Sequence, residues 1–98
     1  MTIYEVTAIV ESDYTDAYES YIRERHVKDV LTTGFFVSAT FERSEPGRYR
    51  VRYVLPSREY LDSYLGEHAP RLRAEFHEEF PIGVELSREV WDVLEAFA

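Results

Sequence analysis

The stretch from Tyr14 to Phe41 constrains the fold more than any other part of the chain. Tyr14, Ala17, Tyr18, Tyr21 and Ile22 recur at the spacing of one apolar helical stripe. Ser12 and Asp13 offer an N-cap, and Asp16 puts negative charge where the helix dipole favours it. The stripe slips at His26, and Val27, Val30 and Leu31 restart it out of phase, which predicts a bend or a new turn there. Gly34 predicts the stop. From Phe35 the pattern changes to alternation. Phe35, Val37, Ala39 and Phe41 share one face, and Phe36, Ser38, Thr40 and Glu42 share the other. A one-sided helix followed by a strand needs a sheet to lie on.

The rest of the chain supplies that sheet. Residues 2–11 alternate, with Tyr4, Val6, Ala8 and Val10 on an apolar face and Ile3, Glu5, Thr7 and Ile9 on a mixed one. Ser44-Glu45-Pro46-Gly47 is a turn signal, so the strand Arg48 to Leu55 pairs antiparallel with its predecessor. Pro56 ends it. Ser57 predicts a helix start, and Pro70 suits the first turn of a further helix over 70–80. Val84, Leu86 and Val90 read as a last strand running to about residue 93, although Leu86, Val90, Val93, Leu94 and Phe97 also fit a helix. The order β-α-β-β-α-β predicts an α+β, ferredoxin-like domain over 1–98. Its four-stranded antiparallel sheet has spatial order 4-1-3-2, with helices on one face.

Composition narrows the partners. With 19 acidic against 11 basic residues and a net charge of −8, the chain repels a nucleic-acid backbone. It has no cysteine, so thiolate metal sites and a cysteine nucleophile are excluded. The start has no basic n-region and no long apolar run, which points to neither a signal peptide nor a membrane span and to a cytoplasmic protein.

The sheet face away from the helices carries Ile3, Ile9, Phe36, Val54 and Trp91, too many large apolar groups to leave wet. A second copy stacked sheet on sheet would cover them, so the expected interface comprises Ile3, Ile9, Phe36, Thr40, Val54 and Trp91. Arg50 and Arg52 stand among them with Glu5 and Glu42 within reach. One reading is a cross-strand charge ladder; the other is an anchor for an anionic ligand.

Catalytic signals are sparse. His77-Glu78-Glu79-Phe80-Pro81 starts like a zinc-protease helix, but Pro81 occupies the position of the second ligand. No phosphate loop or nucleophile elbow is present. His26, at the break in helical phase, is the most interesting single residue. It is either a cation at a helix end or part of a ligand site. The tyrosines Tyr14, Tyr18, Tyr21, Tyr60 and Tyr64 read as core and rim. No catalytic residue, metal or cofactor is assigned.

The runs IYEVTAIV, HVKDVLTTGFF, SREYLDSYLGEHAPRLRAEF and VELSREVWDVLE together resemble a family of small bacterial proteins known only as a domain of unknown function. The resemblance spans nearly the whole chain and implies a dimeric α/β barrel built from the ferredoxin-like fold. More distantly the chain is similar to cofactor-free monooxygenases of antibiotic biosynthesis, which place a pocket between sheet and helices. Two functions follow as expectations. One is a homodimeric module binding a small organic molecule or a partner. The other is a cofactor-independent enzyme acting on a small hydrophobic or aromatic compound. A well-formed pocket reaching His26 favours the enzyme, and side chains filling that space favour the module.

Overall fold

The computed structural model describes residues Met1–Ala98. Strand β1 (Thr2–Val10) leads through a short 3-10 turn (Ser12–Tyr14) into helix α1 (Thr15–Tyr21). A π-helical turn (Ile22–His26) joins α1 to α2 (Val27–Thr32). Strands β2 (Ser38–Glu45) and β3 (Arg48–Leu55) follow, then α3 (Arg58–Glu67), α4 (Ala69–Glu79) and β4 (Val84–Asp92). All pairings are antiparallel, and the spatial order is β2-β3-β1-β4. This is the expected ferredoxin-like order counted from the opposite edge.

The core lies on one side of the sheet. Tyr4, Ala8 and Val10 of β1 and Tyr49, Val51, Tyr53 and Leu55 of β3 are buried there. Tyr18, Tyr21, Ile22 and Val30 cover them from the first helical segment, and Leu61, Tyr64, Leu72, Phe76 and Phe80 from the second. The alternation in the strands and the stripes in the helices thus point at one another. Gly83 lies just before β4 begins. Its φ is +85°, and a Cβ there would lie 2.4 Å from the Tyr14 ring, so only glycine fits.

The structure corrects three local expectations. The phase slip at His26, expected as a bend or a new turn, is a π-helical turn over Ile22–His26. The Val27 amide donates to the Ile22 carbonyl, five residues back, so one extra residue is absorbed in a wider turn and the helix continues. Ser57 stands before α3, yet no helix has a side-chain hydrogen bond at its N-cap. The third correction concerns residues 35–37. Regular β2 begins only at Ser38, so alternation does not govern the crossing segment. Phe36 turns inward, with ring centroids 5.2 Å from Tyr53 and 4.8 Å from Tyr64, while Val37 is exposed. Phe36 therefore leaves the open sheet face and joins the core side.

β4 ends at Asp92, close to the expected boundary. The Val93 amide still donates to the Met1 carbonyl at 2.9 Å. Beyond it, Leu94 and Phe97 are almost fully exposed. No helix is long and apolar enough to cross a membrane.

Candidate functional site: a cavity between sheet and helices

A cavity of about 470 Å³ lies between the sheet and the helices that cover it. This is within the size range of small-molecule sites. Tyr4 and Val6 of β1, Val51 and Tyr53 of β3, and Val84, Leu86 and Arg88 of β4 form its floor. Tyr18, Ile22 and His26 line it from the first helical segment. Helix α4 contributes Leu72, Arg73, Ala74, Phe76, His77 and Phe80, and α3 contributes Tyr64. Arg73, Ala74, His77 and Arg88 are the exposed lining residues and mark the mouth.

Local sequence explains how the cavity is kept open and lined. Leu72, Phe76 and Phe80 point inward from α4 at intervals of four. Arg73 and His77 follow one position later, on the adjoining flank. Val6 sits mid-strand on the core side, yet it is only half-buried, because the cavity rather than a helix lies over it. The π-helical turn restores the phase lost in the sequence and brings His26 into line with Tyr21 and Ile22. The His26 ring then stacks 5.9 Å from Tyr21 and meets Phe76 edge-on at 5.6 Å.

The polar groups facing this space have distinctive states. Burial is the main cause that holds His26 below its ordinary pKa; Asp29 and Glu75 oppose that shift, and Arg88 adds to it. The imidazole is therefore neutral at pH 7. Burial raises Tyr18 and Tyr53 well above the usual phenol range and lifts Tyr64 to about 12. All three stay protonated and can donate. The hydroxyls of Tyr18, Tyr53 and Tyr64 have no hydrogen-bond partner in the protein. No fully sealed side-chain polar atom lacks a partner, so these hydroxyls meet open space. Tyr4 differs, because its hydroxyl accepts from Arg73 Nη2 at 3.1 Å. An apolar chamber with a few unpaired donors suits a largely aromatic molecule carrying acceptor groups.

The expected site residues separate. His26 lines the cavity. Arg50 and Arg52 lie on the opposite face of the sheet, in the expected charge ladder. Arg50 Nε donates to Glu42 at 2.8 Å, and both arginines stand 3.7 Å from Glu5. The Thr40 hydroxyl and Arg50 hold Glu42 below its ordinary pKa. These exposed pairs set cross-strand register more than they add stability. Of the expected interface residues, Ile9 and Trp91 stand about half-exposed on that face. Thr40 is exposed and Val54 half-buried. Ile3, flanked by Val54 and Trp91 across the ladders, is already only 5% exposed in the single chain. No three His, Asp or Glu side chains gather as a metal site.

Sequence reasoning missed Arg73, Arg88 and Tyr53 as lining groups. The available signal was the row Val84, Leu86, Arg88, Val90, where one cation interrupts an otherwise apolar strand face.

A family model described as a domain of unknown function (DUF4286) matches residues 1–93, and the chain belongs to that family. No curated protein matches the sequence. Several solved structures share the fold. An antibiotic biosynthesis monooxygenase is 16% identical, with a TM-score of 0.71 over 97% of this chain and 100% of its own. HapK from Hahella chejuensis is 13% identical, with a TM-score of 0.73 over 100% of this chain and 98% of its own. A variant of MhuD, crystallised with two manganese protoporphyrin IX molecules per active site, is also 13% identical; its TM-score is 0.72 over 100% of this chain and 99% of its own. At these identities the likeness defines the fold alone.

Proposed function

We propose that the chain binds a small, largely aromatic molecule in the cavity beneath α4, and that it does so as a cytoplasmic homodimer paired through its open sheet face. The observation that carries the reading is the cavity itself: about 470 Å³, mostly apolar, with three tyrosine hydroxyls left without protein partners. A core meant only for stability would fill such a space, since voids cost stability in proportion to their volume. The exposed Trp91 and Ile9 support the dimer. Titration with the neutral fluorophore N-phenylnaphthylamine tests the site. Saturable binding at one molecule per chain, abolished by Ala74→Trp at the mouth, is expected. Equal binding by both proteins would remove the cavity from the account.

The cavity reaches His26, the outcome expected to favour a cofactor-independent enzyme, and the second reading rests on that residue. A neutral imidazole facing an apolar chamber can accept a proton from a bound phenol or an activated C–H group. That supports a cofactor-independent enzyme, and the antibiotic biosynthesis monooxygenase that shares the fold suggests oxygen as co-substrate. Oxygen uptake with a dihydroxynaphthalene, above the rate of autoxidation and lost in His26→Phe, is the expected signature. Uptake unchanged by that substitution would leave binding as the function.

A further inference from the structure

The mouth of the cavity is basic in an acidic protein. Arg73, Arg88, His26 and His77 line the space, and no Asp or Glu does. Of the eight arginines elsewhere, six find carboxylates. Arg23, Arg43, Arg50, Arg52, Arg58 and Arg71 each lie within 4 Å of one. Arg73 and Arg88 have no such partner in a chain with 19 acidic residues. Arg25 and Arg48 are also unpaired, but they do not line the cavity. Glu75 on α4 is engaged by Arg71 one turn earlier, at 3.8 Å.

Their charge reaches inward. Arg88 acts on the titration of both His26 and Tyr64, and Arg73 on that of Tyr64. Arg88 stands exposed at the mouth, in the strand row that faces the helices, with Leu86 and Val90 to either side and Val6 across the ladder. An arginine in an apolar row with no carboxylate to meet it is left to bind something supplied from outside.

We infer that the ligand is an aromatic acid, with its ring system in the cavity and its anionic group held at the mouth by Arg73 and Arg88. This rests on the proposed cavity function and narrows it. Arginine suits the role because its planar fork meets a carboxylate or sulfonate with two parallel hydrogen bonds. The basic mouth also offsets the chain's overall charge of −8, which repels anions at a distance.

Two probes of nearly the same ring system separate the claims. Anilinonaphthalene sulfonate carries an anionic group, and N-phenylnaphthylamine does not. Both are titrated into the parent chain, into Arg73→Met/Arg88→Met and into Ala74→Trp. Both arginines are exposed, but Arg73→Met also removes the bond to the Tyr4 hydroxyl, so circular dichroism and a denaturant melt check the fold of the double variant. The parent is expected to hold the sulfonate about tenfold more tightly than the neutral probe, the worth of one charge-assisted hydrogen bond. The double variant is expected to lose that preference and keep its affinity for the neutral probe. In the parent, bound sulfonate is expected to shift the His26 ring titration upward by nuclear magnetic resonance, because it neutralises Arg88. A parent with no preference, or a preference that survives the double substitution, overturns the aromatic-acid inference while the neutral probe still reports the cavity. Failure of the neutral probe to bind, or its equal binding to Ala74→Trp, overturns the cavity reading and the inference with it.

Discussion

Arg88 stands opposite Val6 across the β1–β4 ladder, a guanidinium beside an isopropyl group on the side of the sheet that faces the helices. A protein built only to be stable would place a valine there, as β4 does at Val84 and Val90. Arg88→Val is therefore expected to raise the stability of the ligand-free protein by about 0.5–1 kcal/mol, the range over which strand residues differ. Denaturant melts measure this. Loss of stability would mean that Arg88 serves the fold and not a ligand.

The tyrosines divide by partner. The Tyr49 hydroxyl donates to Glu19 Oε2 at 2.7 Å, whereas the Tyr18 hydroxyl donates to nothing in the protein. Tyr49→Phe is expected to cost about 1–2 kcal/mol, and Tyr18→Phe to stay within about 0.5 kcal/mol of the parent. The same melts compare them. A large loss for Tyr18→Phe would reveal a bond that this account omits.

His26 gives a pH dependence with a definite sign. Its folded pKa lies below the ordinary 6.5 because burial disfavours the imidazolium. Above pH 6.5 folded and unfolded chains are both neutral at this ring, and its full contribution is present. As the pH falls below 6.5 the unfolded chain binds a proton that the folded chain resists, so stability declines toward the folded pKa. Glu42 and Asp92 have depressed pKa values and lose their contributions only at lower pH, below 4.5 and 3.8. The melting temperature is expected to fall between pH 7 and pH 5.5 in the parent and to change less in His26→Phe. Parallel curves would refute the buried neutral imidazole.

The open sheet face offers Trp91 and Ile9 to a second copy. Light scattering after size exclusion is expected to give a dimer at micromolar concentration and a monomer for Trp91→Lys/Ile9→Lys. A monomeric parent would remove the interface.

Much of this architecture was legible because the strand and helix periods are clean. Tyr4, Ala8 and Val10 alternate onto the core, and Leu72, Phe76 and Phe80 repeat by turns, so both faces can be read directly. Phe36 departs from the alternation because residues 35–37 are not yet strand, so their side chains do not follow its period. The His26 phase slip was visible, but a π-helical turn and a bend leave the same trace in sequence. The cavity was the least legible part. It is a volume left by residues distant in the chain, and no spacing records a void. Arg88 gave the one local sign, a cation in an apolar row. Read as a strand, the last segment is placed by its apolar members Val84, Leu86 and Val90 alone, and a single cation among them marks no cavity by itself.

The most direct measurement is a crystal structure of the protein with anilinonaphthalene sulfonate bound. The rings are expected inside the cavity against Phe76 and Val6, with the sulfonate within hydrogen-bond distance of Arg73 or Arg88. Dye found only on the open sheet face beside Trp91, with the space beneath α4 unoccupied, would contradict it.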